Sequence, residues 1–252
     1  MPRTLRNALA TAVALVAASP FAFGQELPDP PTQNTVFEVA PKPGHALEFE
    51  AALKQHLDWV GAQGSTWRWE VFEVTHGKRV GNYFLVSRRH SWEDFDHHQA
   101  LAAKAAARWR AEVSQHVESV SGGIYSMLAG FTRAPEDDLA SYPFRGVSFF
   151  SMRPTSARTF LPNLRKVTDA LGTQESAPPE LWFQQVGGGE QGTFLSVRPF
   201  RKWADWPNRG LARAMNQAMD PAESGAIVAE LGKVILREET MVVVMRPDLG
   251  SP

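Results

Sequence analysis

No cysteine occurs among the 252 residues. Disulfides, thiolate nucleophiles and lipid attachment at a cysteine are therefore excluded, and stability has to come from core packing. Neither sign of charge is in excess. Lys+Arg number 26 and Asp+Glu 27, a net charge of −1, which leaves no basic footprint for nucleic acid. Beyond the N-terminus no apolar run is long enough to cross a bilayer. There is no Gly-x-Ser-x-Gly, so a hydrolase nucleophile elbow has no support. Gly187-Gly188-Gly189 is not followed by the Gly-Lys-Ser/Thr of a phosphate loop and reads as a hairpin turn. Apolar residues and tryptophan are present in quantity. With 43% hydrophobic residues and eight Trp, the chain can fill one large core or two small ones.

The first 24 residues read as an address. Arg3 and Arg6 precede an apolar run from Ala8 to Ala18, broken only by Thr11, and Ala22-Phe23-Gly24 supplies small residues before a cut at Gln25. This is the layout of a secretory signal peptide. Val16-Ala17-Ala18 offers a second cutting position. Export without cysteine points to a bacterial periplasm or exterior, with no integral membrane segment once the signal is removed. The cut at Gln25 would leave 24 basic against 27 acidic residues, a net charge of −3. Residues 25–34, with Pro28, Pro30 and Pro31, read as an extended linker.

The rest is written twice. Pro43, Phe49 and Leu53 recur as Pro154, Phe160 and Leu164, and Trp92 and Asp94 as Trp203 and Asp205, all 111 residues apart. In the first half, a strand over 36–40 leads to a helix with the stripe Ala46, Phe49, Leu53, Leu57 and Val60. Strands over 67–74 and 81–88 flank a turn at His76-Gly77-Lys78. Ser91 caps a second helix, with Asp94 reaching back to it and a stripe of Ala102, Ala105, Trp109, Val113 and Val117. Gly122-Gly123 breaks that helix before a last strand over 124–128. The second half repeats the order: strand 145–152, a helix bearing Phe160, Leu164 and Leu171 (with Pro162 against it), strands 181–186 and 193–198, helical segments 203–219 and 221–236, and strand 240–246.

β-α-β-β-α-β is the ferredoxin-like unit. The units span 35–132 and 143–250, joined by a linker over 133–142. Asn82–Val86 and Met241–Met245 are apolar at nearly successive positions, which requires burial on both sheet faces. Each sheet is therefore expected to cover the other, giving an α+β barrel within one chain, a monomer that is its own pseudo-dimer.

The polar residues cluster in one stretch, Arg89-His90-Ser91-Trp92-Glu93-Asp94-Phe95-Asp96-His97-His98. Helical spacing puts Asp94 and His98 on one face. No second set of His or acids has ligand spacing, so no metal is expected. Trp67 and Trp69 share a strand face, read as the inner one, and Trp182 repeats Trp69. His45 at a helix start, His56 and His116 beside apolar stripes and His76 in a turn read as boundary residues.

Element order over the mature chain, with Trp92 followed by His98 (or His97) after the third strand, resembles a fused pair from the dimeric α+β barrel superfamily. The stretch is more loosely similar to that superfamily's antibiotic-biosynthesis monooxygenase-type members. The resemblance implies a pocket for a small, largely apolar or aromatic ligand between sheet and helices of the first half. There His98 or His97 would move a proton and Asp94 would orient it. Trp67, Trp69, Trp92 and His90 would shape the site. The implied reactions are a cofactor-independent oxygenation or an isomerisation. The second half carries Asn208 and Arg209 where the first has histidines, so one site is expected rather than two. Two alternatives stand beside this one. One is a non-catalytic binder of a ligand or partner on the same scaffold. The other is a haem protein, as in chlorite-dismutase-like relatives, with His116 or His56 as proximal ligand.

Overall fold

A computed structural model describes residues 33–133, 139–174, 178–206, 215–216 and 218–251. The expected signal segment, most of the expected 25–34 linker, and Asn208 and Arg209 lie outside the described residues.

The strands are β1 (Gln33–Pro41), β2 (Trp69–His76), β3 (Tyr83–His90), β4 (Val117–Met127), β5 (Phe144–Met152), β6 (Leu181–Gly187), β7 (Thr193–Phe200) and β8 (Ile235–Met245). The helices are α1 (Ala46–Ala62), α2 (Trp92–Glu112), α3 (Ala157–Gly172) and α4 (Pro221–Val234). All eight strands form one closed antiparallel barrel in the order β1-β3-β2-β8-β5-β7-β6-β4. Each half contributes four neighbours in equivalent order, β4-β1-β3-β2 and β8-β5-β7-β6. The halves join where β2 pairs with β8, at Val74↔Val243, and where β4 pairs with β6, at Tyr125↔Gln185. Closure leaves no unpaired edge among these strands. Arg246, just past β8, fastens the first seam to α1, meeting Glu50 at 2.6 Å and Glu73 at 2.9 Å.

Strand alternation separates two apolar faces. Phe72, Val74, Phe84, Tyr125, Val147, Phe183, Leu195 and Met241 meet inside the barrel. The intervening residues face outward under the helices. Val39, Val71 and Leu85 pack on Phe49, Leu53 and Leu57 of α1. Phe150, Trp182 and Phe194 pack on Phe160 and Leu164 of α3 and on Ile227 of α4. Burying a side chain such as Phe160 contributes about 1.5–3 kcal/mol. Strands covered on both faces explain the nearly continuous apolar runs. Among the described residues no helix is long and apolar enough to cross a membrane.

Several boundaries differ from the sequence reading. β1 begins at Gln33, inside the expected linker, because Gln33 and Asn34 are buried and Asn34 Nδ2 donates to the Tyr125 carbonyl at 3.1 Å. α2 stops at Glu112, and Val117 opens β4 instead of closing the helix. Gly122 and Gly123 lie within β4. A Cβ there would meet the Phe37 ring at 2.4 Å and the Gln185 amide at 2.6 Å, so close packing, not helix termination, accounts for them. β8 starts at Ile235 rather than Thr240, because the polar run Arg237-Glu238-Glu239 pairs with β5. Trp203–Asp205 is a single 3-10 turn, not the start of a long helix, and 207–214 lie outside the described residues. α3 accommodates Pro162 in its second turn, where the cost is one backbone hydrogen bond. The duplication is visible in detail: Asp94 accepts from Ser91 N at 2.7 Å, and Asp205 from Lys202 N at 3.3 Å.

Candidate functional site

Three of the expected site residues come together. Trp67, just before β2, is sandwiched between His90 at the end of β3 and His98 on α2. Its ring centroid lies 3.8 Å from His90 at 16° and 4.1 Å from His98 at 10°. Phe95 closes the stack edge-on at 5.0 Å. Ser87 Oγ shares a 2.8 Å hydrogen bond with His90 Nε2. Arg89 has φ 64, an uncommon value for a residue with a Cβ, and lies near the end of β3 where the pairing with β1 shifts register between Ser87 and His90. Burial lowers the pKa of both His90 and His98, with Asp94 partly opposing this at His90, so both rings are neutral at pH 7.

The other residues take different places. Asp94 completes the capping box of α2 whose cap is Ser91: its carboxylate accepts from the backbone N–H and hydroxyl of Ser91, which hold its pKa below the usual carboxylate value. It makes no hydrogen bond to His98. His97 is exposed and lies 3.8 Å from Glu93. Trp92 is half exposed at the rim, 5.5 Å from Phe95. Trp69 lies 5.8 Å from Phe37 and 6.2 Å from Trp67. Trp67 and Trp69 face the helices, not the barrel interior as expected, because the interior phase of β2 belongs to Phe72 and Val74. Trp182 is also on the outer face, packed between Phe150 and Phe160.

The open space is elsewhere. A cavity of about 390 Å³ occupies the end of the barrel where the β2–β3 and β6–β7 hairpins meet. Its floor is Val36, Phe84, Phe149 and Tyr125, which also bound a smaller apolar cavity of about 90 Å³ deeper in the barrel. None of the seven expected site residues lines either cavity.

The wall of the larger cavity is polar and tightly paired. Arg79 meets Glu38 at 2.5 Å and grips Glu239 with two nitrogens at 2.8 and 3.2 Å. Asn82 Nδ2 donates to the other Glu38 oxygen at 2.7 Å. Burial works against the Arg79 charge, but the Glu239 and Glu38 carboxylates outweigh it and raise its pKa. The Arg79 hydrogen bond lowers Glu239 in return. Burial pushes the Tyr125 phenol up to about 12, so it stays protonated. Its hydroxyl has no hydrogen-bond partner among the described residues and is available as a donor in the cavity. Gly188, at φ 76, closes the rim; a Cβ there would lie 2.6 Å from the Gly122 carbonyl. Sequence reasoning missed Arg79, Glu38, Glu239 and Tyr125. The one available signal was Glu38 between Phe37 and Val39, a charge at an interior strand position.

Neither histidine considered as a haem ligand, His56 or His116, lines these cavities. All seven histidines precede residue 117, and none lines either cavity. His56 is buried edge-on to Trp109 at 5.4 Å, and His116 faces His45. Among the described residues no group of three or more His, Cys, Asp or Glu is arranged to hold a metal.

No protein-family model matches the chain, and no curated protein does. Solved structures do. A candidate monooxygenase from Lactobacillus acidophilus is 9% identical with a TM-score of 0.52, over 85% of this chain and 94% of that one. An anthrone oxidase-like protein is 13% identical with a TM-score of 0.57, over 87% and 94%. A mutant chlorite dismutase from Candidatus Nitrospira defluvii is 13% identical with a TM-score of 0.51, over 86% and 91%. At such identities the likeness is one of fold. That fold is the dimeric α+β barrel, with both ferredoxin-like units in a single chain.

Proposed function

We propose that this chain is an exported binding protein for a small molecule with an aromatic or apolar body and one polar group. The observation that carries this reading is the cavity of about 390 Å³, lined by Phe84, Phe149 and Tyr125 together with the charged Glu38, Arg79 and Glu239. Its volume is in the ordinary range for small-molecule sites, roughly 300–1,000 Å³. The signal-like N-terminus supports delivery to a bacterial periplasm or exterior. The closed barrel supports a monomer, since each half already covers the other. Native mass spectrometry of the full chain expressed with its leader tests the reading. A retained adduct that is lost on Tyr125→Phe or Ser121→Trp supports it, and an adduct indifferent to both overturns it.

A second reading rests on the neutral imidazoles of His90 and His98 and on the neighbours named as monooxygenases. It is a cofactor-independent oxygenase or isomerase working between the sheet and α2. His98 would carry the proton there, and Trp67 would shape the site. His98 and His90 already cover both faces of Trp67, so a substrate would have to displace one of them. Turnover lost on His98→Ala with the fold intact would favour this reading over the first.

A further inference from the structure

We propose, taking the barrel cavity as the ligand site, that its occupant is a single-chain amphiphile: an unbranched alkyl tail with one oxygen-bearing head, seated tail-inward along the barrel axis. The two cavities are consecutive lengths of one lumen. On β1, Glu38 lines the outer cavity, Val36 lines both, and Asn34 lines the inner one. β5 repeats the progression with Ser151, Phe149 and Val147, and β3 carries it from the shared Phe84 to Val86 and Arg88. From Ser151 to Arg145, at the far end of the inner cavity, is about 20 Å of strand, or roughly 15 Å along the axis at the usual strand tilt. A ligand that uses both lengths is therefore long.

The inner length selects the tail. Its cavity of about 90 Å³ is smaller than the roughly 150 Å³ that accepts benzene, so it admits a thread of methylenes and not a ring. Its sides are Phe72, Val147, Phe183, Leu195 and Val243. The polar side chains at its far end are engaged. Arg88 pairs with Glu70, and Arg145 donates to the Leu139 carbonyl at 2.6 Å and lies over the Phe72 ring at 5.4 Å. Burying a polar head among these side chains without a hydrogen bond is unfavourable, so the head stays in the outer length. There the Tyr125 hydroxyl can donate to a head oxygen, and the Glu38 and Glu239 carboxylates can accept from a head hydroxyl.

The test is displacement of anilinonaphthalene sulfonate from the full chain by straight-chain alcohols from n-butanol to n-decanol. In the wild type, affinity should rise by about fourfold for each added methylene until the inner length is full. Val86 and Val197 line the inner cavity and not the outer one. In Val86→Phe and Val197→Phe, each checked for fold by circular dichroism, the rise should stop at a shorter chain. A wild type that binds the dye but yields it equally to n-butanol and n-decanol overturns the alkyl tail and leaves the outer cavity as the site. A rise that is unchanged in the folded variants puts the tail elsewhere and also overturns the proposal. A wild type that binds neither dye nor alcohol overturns the cavity itself as a ligand site.

Discussion

The Trp67 indole lies flat on the His98 imidazole, with centroids 4.1 Å apart and planes 10° from parallel. The contact joins the segment before β2 to α2, and no other residue of α2 lies parallel to a strand-side ring. A neutral imidazole suits this position, since protonation would bring a charge into a site that burial already disfavours for it.

Stability should therefore fall on mild acidification. His56, His90 and His98 all have pKa values lowered by burial in the folded chain. The unfolded chain, with histidine near 6.5, binds protons first as pH falls. The stabilisation is full above that value and is lost as pH drops towards the folded pKa values. Melting temperatures across this window should decline, and His98→Gln should flatten the decline. An unchanged slope in that variant would remove His98 from the account.

Trp67→Ala should cost about 3–5 kcal/mol, as for other buried aromatic truncations, because it empties the space between two rings. Trp67→Phe should cost less. Chemical denaturation measures both, and equal losses would show that stacking area is not what matters.

Asp94 completes the capping box of Ser91 at the start of α2, so Asp94→Ala should lower the melting temperature. The pH dependence contributed by His98 should persist. A variant of wild-type stability with an altered His98 titration would instead point to an Asp–His pair.

Arg79 neutralises two carboxylates at the cavity wall. Arg79→Met should cost about 3 kcal/mol, since Glu38 then loses its cation and Glu239 is left with Arg237 alone. Adding Glu239→Gln to Arg79→Met should recover part of the loss. A double variant less stable than the sum of its singles would contradict the pairing.

Much of the barrel was legible because apolar periodicity and the 111-residue repeat both report local structure and two-sided burial. Phe49, Leu53, Phe160 and Leu164 mark the helix faces directly. The site was less legible. His90 and His98 could be found as a polar cluster, but their stacking on Trp67 depends on how the register shift at the end of β3, around Arg89, sets α2 on the sheet. The cavity wall depends on strand pairings from opposite ends of the chain. Arg79 and Glu239 are 160 residues apart and meet only because β2 closes on β8. Arg237-Glu238-Glu239 has no strand character of its own, so β8 was read as starting late. The inner and outer faces of β2 were inverted because Trp67 and Trp69 are large enough to fill either side, and only pairing with β3 and β8 decides the phase.

The most direct measurement is the fluorescence of anilinonaphthalene sulfonate with the wild type, Ser121→Trp and His98→Ala, with circular dichroism to confirm that each is folded. Ser121 lines the mouth of the barrel cavity, and His98 lies outside it. The account predicts saturable binding to the wild type and to His98→Ala and none to Ser121→Trp. Binding that survives Ser121→Trp but disappears in His98→Ala would place the ligand between the sheet and α2 and contradict it.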